Sequence, residues 1–403
     1  MDNQLYQAPH HSFECLLAAG ATRQFQATAG QALDQLAAFH QADPDWLFGH
    51  LSYDLKNELY PLQSQHPDGI GFPDLFFFVP EYLLQLSETE LRIGMAGQAA
   101  GTAEQVFNEI RNTALPDNSN APATTPVSIH HRISRQDYLD TIRRLQQHIL
   151  RGDCYELNFC QEFYAPDTTI QPLAAYRALS AASPNPFAAF YRLDHRYLLC
   201  ASPERYLKKT GDRIWSQPIK GTARRDRNDP AVDEQNKISL QESSKERSEN
   251  VMVVDLVRND LSKVCTEGSV QVDELCAIYS FPQVHQMIST VSGLLPEGHS
   301  FVEPIRASFP MGSMTGAPKL RVMQLIEQYE QSRRGLFSGS VGYITPEGNI
   351  DFNVVIRSLL YNAATRYLSF PAGSAITFYS DPEQEYAECL LKAEAIQKVL
   401  QEL

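Results

Sequence analysis

Between residues 336 and 379 the chain alternates strand-like apolar runs with two short turn clusters, Pro346-Glu347-Gly348-Asn349 and Asn362-Ala363-Ala364-Thr365. Four-residue connections of this composition join antiparallel neighbours, whereas parallel strands need crossovers of a dozen residues or more. Helical patterns fall in other stretches. From Ser134 to Leu150, residues Tyr138, Leu139, Ile142, Leu145, Ile149 and Leu150 share one side, with Ser134 and Asp137 placed to cap the start. A second helix is predicted from Ser243, where Ser243 and Glu246 form a capping-box pair ahead of the apolar run Val251 to Leu261. A third follows the loop at 312–316 with Pro318 in its first turn, and a last one opens at Asp381-Pro382 with Gln384 at the third position. Helices and hairpin-linked strands in separate blocks predict an α+β fold rather than a doubly wound parallel sheet.

The N-terminal part mixes short apolar runs (Leu75 to Pro80, Tyr82 to Leu86) with turn residues and reads as strand-rich. A stretch rich in Pro, Ser, Thr, Asn and Ala, Asn112 to Val127, reads as a surface connection. The expected division is therefore an N-terminal portion, 1–127, and a main portion, 128–403. A net charge of −14 excludes a nucleic-acid or anionic-membrane surface, which needs a basic footprint. It also means that any anionic substrate must find its positive charge locally. No stretch has the length of a membrane span, and Met1 to His10 lacks a signal-peptide pattern. Seven cysteines, odd in number and never spaced Cys-x-x-Cys, read as reduced thiols of a cytoplasmic protein.

In the final helix, Glu385, Glu388 and Lys392 fall within about 60° of arc, and the same face continues as Ile396, Val399 and Leu403. Two readings follow. An apolar continuation turns the charges inward, where buried carboxylates want a divalent cation; a solvated first turn favoured by the helix dipole leaves them outside. Glu249 is in the same position: a ligand, or a solvent-facing acid near a helix start. Lys220 by itself is an ordinary surface lysine, and Glu204 after Pro203 an ordinary strand-end acid. Arg357, read as part of a strand from Asp351 to Ser358, suits a substrate carboxylate or a cross-strand ion pair.

Taken in order, the motifs narrow these alternatives. Ser202-Pro203-Glu204, Pro218-Ile219-Lys220-Gly221-Thr222, Ser248-Glu249-Asn250-Val251, Gly312-Ser313-Met314-Thr315-Gly316 and Ser380-Asp381-Pro382-Glu383-Gln384-Glu385-Tyr386-Ala387-Glu388 resemble the chorismate-utilising enzymes. The resemblance runs from about Ser134 to the C-terminus. Lys220, where anthranilate-forming relatives carry alanine, points to the aminodeoxychorismate synthase component I branch. The resemblance implies two facing antiparallel β-sheets with helices outside. It implies that Glu249 and Glu388 hold Mg2+, with Glu385 close by, and that the metal fixes the ring carboxylate of chorismate. Lys220 is then the nucleophile at C2 and Glu204 the general acid for the departing C4 hydroxyl. Gly221, Thr222, Ser313, Phe337, Arg357 and Lys392 fall in the substrate pocket, and Gly373-Ser374-Ala375 at the position of a Gly-x-Gly amide cradle. Pro186-Phe187-Ala188 matches a segment that binds tryptophan in some relatives.

Departures accompany the match. Ala375 replaces the last cradle glycine, Phe337 stands for a tyrosine, and Gln286 sits at a frequent histidine position with His285 before it. Glu156 occupies the place of the lysine that activates water in isochorismate- and salicylate-forming relatives, which argues against hydroxylation. The nearest approach to a glutaminase elbow, Gly152-Asp153-Cys154-Tyr155-Glu156, lacks the second glycine, so ammonia is expected from a separate glutaminase subunit. The expected activity is amination of chorismate at C4 toward 4-aminobenzoate and folate. The alternatives are anthranilate synthase component I and a non-catalytic chorismate-binding subunit.

Overall fold

A computed structural model describes residues 1–4, 6, 13–97, 99–114, 127–281 and 283–402. Most of the expected connection, residues 115–126, lies outside the described residues, as does Leu403. Among the described residues the strands form three sheets, of three, seven and ten strands, with antiparallel pairing throughout. One apolar core joins the two large sheets, burying Cys160, Leu198 and Cys200 from the seven-stranded sheet against Leu207, Ile214 and Phe352 from the ten-stranded one. A second core lies between the seven-stranded sheet and the helices Arg135–Leu150, Pro172–Ala182 and Pro382–Glu402, which contribute Ile142, Leu145, Leu179 and Ile396. The expected α+β architecture of facing antiparallel sheets with outer helices is the observed one.

Local signals account for the helix starts. Ser134 accepts a hydrogen bond from the Asp137 amide at 3.2 Å, Ser243 from that of Glu246 at 3.3 Å, and Asp381 from that of Gln384 at 3.0 Å. The helices begin at Arg135, Ser244 and Pro382 accordingly. The expected boundary at 127 does not coincide with a break in the sheets. Strand Leu47–Leu51 pairs with Ser340–Ile344, and Leu75–Val79 and Arg23–Ala27 extend the same ten-stranded sheet. The N-terminal part also holds helices, Ala32–Ala42 and Ala103–Asn112, which its apolar runs did not suggest.

The stretch from 336 to 379 departs from a single meander. Its first hairpin, Ser340–Ile344 with Ile350–Asn353, belongs to the ten-stranded sheet; its second, Ser358–Asn362 with Tyr367–Ile376, belongs to the seven-stranded one. The chain changes sheet at residues 354–357, where Arg357 takes a left-handed backbone with φ +53°. A second change of sheet lies alongside, between strands Arg196–Ser202 and Arg205–Thr210. The two crossings are tied together: the Val354 amide donates to Glu204 O at 3.0 Å and the Ala201 amide to Arg357 O at 3.3 Å.

Candidate active site

These paired crossings border a cavity of about 560 Å3 whose lining includes Glu204, Lys220, Glu249, Ser313, Arg357 and Glu388. Lys220 reaches it through an irregularity in its strand. Ile219 faces Ile288 and Thr222 faces Gln286, so three steps along one strand oppose two along the other, leaving one extra residue. Such a bulge re-aims side chains, and Gly221, at φ +88°, supplies the backbone freedom it needs. The lysine thereby points from the ten-stranded sheet toward Glu156 at the start of Glu156–Ala165 in the seven-stranded sheet. Its Nζ lies 3.0 Å from Glu156 Oε1, and both side chains are buried.

Electrostatics set the protonation of the cluster. Burial pulls Lys220 down, but Glu156, Glu249 and Glu204 outweigh it, and the ammonium is held above its usual range. The free amine expected of a nucleophile is therefore not the form these neighbours favour; a proton must leave before the nitrogen can attack. Glu204 is pushed up to about 7, by burial first, with Ser313 and Lys220 drawing it partly back. That value suits an acid that must carry a proton near neutrality. Glu249 is also pushed up to about 7, chiefly by burial, with Lys220 opposing. Glu388 goes the other way: despite burial, Lys392, Lys245 and Lys220 hold it below the ordinary carboxylate range.

The final helix carries Glu388 and Lys392 into the cavity wall, as the inward reading expected. Lys392 Nζ sits 2.7 Å from Glu388 Oε1 and donates to Gly373 O at 2.9 Å. Glu385 does not line the cavity but is buried beside it, and Lys245 Nζ stands 3.4 Å from its Oε1, 3.8 Å from Glu388 Oε2 and 3.9 Å from Glu249 Oε1. Among the described residues, no three His, Cys, Asp or Glu side chains are arranged to cage a metal ion; these three acids gather around an ammonium instead. Glu249 Oε1 and Glu385 Oε2 nonetheless remain buried without a hydrogen-bond partner. Oxygen donors with unspent acceptor capacity fit a hard divalent cation.

Arg357 departs from the expected strand geometry. The strand ends at Asn353, so alternation from Asp351 does not carry through the sheet change, and Asp351 instead pairs with Arg205 at 2.9 Å. Among the described residues Arg357 makes no ion pair within 4.0 Å, which leaves the cross-strand alternative without a partner. Burial lowers its pKa, with Glu388 opposing.

Gly221, Thr222, Phe337, Gly373 and Ala375 line the cavity as well. Ser374 does not; it is buried on the other face of its strand, beside Tyr138. Of the neighbours His285 and Gln286, Gln286 lines the cavity, whereas His285 turns to Asp233 at 3.1 Å and Ser280 at 2.8 Å. Pro186, Phe187 and Ala188 lie apart, in a separate cavity of about 40 Å3 shared with Met1 to Asn3. Sequence reasoning missed Lys245 and the partnership of Glu156 with Lys220. The spacing of Lys245 four residues before Glu249 was the available signal for the first; contact across two sheets leaves no local signal for the second.

Residues 3–398 match the family described as chorismate binding enzyme. An anthranilate synthase component I-like protein of Synechocystis sp. is 34% identical over 362 residues, 89% of this chain and 73% of that one. Aminodeoxychorismate synthase component 1 of Escherichia coli is 33% identical over 353 residues, 88% of this chain and 76% of that one. Among solved structures, anthranilate synthase component I from Streptococcus pneumoniae has a TM-score of 0.82 at 23% identity, covering 98% of this chain and 96% of that one, a likeness of fold. With a cavity that gathers Lys220, Glu204, Arg357 and paired acids between two facing sheets, and with the family match spanning nearly its whole length, the chain belongs to the chorismate binding enzymes.

Proposed function

We propose that this chain aminates chorismate at C4, giving 4-amino-4-deoxychorismate on the way to 4-aminobenzoate and folate, with ammonia delivered by a separate glutaminase subunit. One observation carries the reading: Lys220 is set by its bulge into the same cavity as Glu204, whose pKa of about 7 keeps a proton available. In the proposed sequence the Lys220 nitrogen gives up a proton to the Glu156 carboxylate, 3.0 Å away, and bonds to C2. Both ring double bonds shift, the C4–O bond breaks, and Glu204 protonates the oxygen, which leaves as water. Ammonia then bonds to C4, both double bonds shift back and the C2–nitrogen bond breaks, and a proton from the new C4 nitrogen passes to the departing lysine nitrogen. Arg357, a half-buried cation that makes no ion pair within 4.0 Å among the described residues, receives a substrate carboxylate. Glu249 and Glu388, with Glu385 behind them, would hold Mg2+, which when bound supplies positive charge to the ring carboxylate.

A cysteine nucleophile for glutamine hydrolysis is absent from the proposed scheme for a physical reason. Cys154 is buried and its thiol is pushed up to about 11 by burial, the reverse of an activated thiolate. Release of pyruvate falls to another enzyme. All seven cysteines are unpaired, which suits the reducing cytoplasm, and among the described residues no helix is long and apolar enough to cross a membrane.

The likeness to the Synechocystis protein favours a second reading, anthranilate formation on the same scaffold. Incubating the purified chain with chorismate, ammonium chloride and Mg2+ and separating the products by chromatography distinguishes them. Aminodeoxychorismate supports the proposal, anthranilate replaces it, and no product under any condition leaves a non-catalytic binding subunit.

A further inference from the structure

We infer that Lys245 is a resident counter-ion of the Glu249–Glu385–Glu388 cluster, and that a divalent cation enters this cluster by displacing its ammonium. The inference rests on the proposed metal reading and adds to it a competitor built into the chain. Lys245 Nζ lies 3.4, 3.8 and 3.9 Å from Glu385 Oε1, Glu388 Oε2 and Glu249 Oε1. All three distances exceed the 2.7–2.9 Å of a well-formed charge-assisted hydrogen bond. One ammonium is thus shared among three acids and bound firmly to none. Lys392 is the contrast, committed to Glu388 at 2.7 Å and to Gly373 O at 2.9 Å.

Three further observations fit a displaceable ion. The Lys245 side chain is 48% exposed, so it has a path to water, whereas Glu385 is 1% and Glu249 9% exposed and must stay. Glu385 Oε2 keeps acceptor capacity that the lysine does not use, and Glu249 Oε1, 3.9 Å from the ammonium, accepts no hydrogen bond from it. Finally, Lys245 stands in the first turn of the Ser244–Ser262 helix, where the helix dipole disfavours a cation. Its place is explained by Glu385 and Glu388 of the final helix together with Glu249 one turn further along its own helix, not by the helix dipole. The ammonium keeps the acids from repelling one another until a doubly charged ion arrives, and it makes that ion's apparent affinity weaker than the carboxylates alone would give.

The test is calorimetric titration of Mg2+ alone into the full chain and into its Lys245→Met, Lys245→Arg and Glu249→Gln variants. Lys245→Met is expected to bind Mg2+ about tenfold tighter than the parent, the combined weight of a few half-exposed ion pairs. Lys245→Arg should stay near the parent. In thermal unfolding, Lys245→Met should melt lower without Mg2+ and gain more from its addition. A variant that merely loosened the fold would not bind the ion better. If Lys245→Met binds Mg2+ with equal or lower affinity while Glu249→Gln loses binding, the metal reading stands and the displacement falls. If neither the parent nor Lys245→Met binds Mg2+, both fall.

Discussion

Replacing Glu204 by glutamine tests the acid directly, because the carboxyl is 4% exposed and held at about 7 against an ordinary 4.5. A folded-state pKa above the unfolded one means that the native chain binds this proton more tightly. The resulting stabilisation is complete below the unfolded value near 4.5 and is lost as pH rises through about 7. The gap corresponds to about 3 kcal/mol, of which about 2.5 kcal/mol is lost between pH 5 and pH 8. Glutamine cannot ionise, so it removes this slope while keeping shape. Urea unfolding of both chains at pH 5, 6, 7 and 8 supplies the comparison. Glu249 titrates in the same direction in both proteins and cancels from the difference. The stability of Glu204→Gln relative to the parent is expected to rise by about 2.5 kcal/mol from pH 5 to pH 8. A difference that stays flat across that range would refute the argument that burial holds a proton on Glu204. The same variant should turn over about 10^2 to 10^4-fold more slowly, and the parent's rate should decline as pH rises past about 7.

Lys220→Ala should lose more than about a hundredfold of its aminodeoxychorismate formation while still binding chorismate, read by chromatography and by equilibrium titration; unchanged turnover would remove covalent catalysis and leave direct ammonia addition. Arg357→Ala should raise the KM for chorismate roughly 10- to 150-fold, the weight of one charge-assisted contact, with a smaller effect on kcat. Gly221→Ala places a methyl 3.0 Å from Glu246 Oε2 and Leu240 Cδ1 at φ +88°. It should cost about 1–3 kcal/mol in chemical denaturation and lower activity by shifting Lys220.

What could be read before the structure was local. Caps at Ser134, Ser243 and Asp381 are encoded within one turn, and the turn clusters at Pro346 and Asn362 within four residues, so both appeared where expected. Arg357 was misplaced because alternation holds only while a strand stays in one sheet, and nothing in the run from Asp351 to Ser358 marks the change. The bulge at Lys220 was hidden for a related reason: it exists only relative to the partner strand Val284–Leu294. Ser374 illustrates the reverse case. Strand alternation around Gly373 and Ala375 already implies that it faces away from the side those two share. The protonation of Lys220 was beyond any linear pattern, since Glu156, Glu249 and Glu204 come from three separate elements.

Because Glu204 and Arg357 ride on the two neighbouring stitches that pass from one layer to the other, neither belongs wholly to either layer. Sliding one sheet over the other would shift both at once against Lys220, which is anchored in a single sheet. A ligand gripped by all three works as a rivet through the layers, and the fold's own seam sets the tolerance to which that rivet must fit.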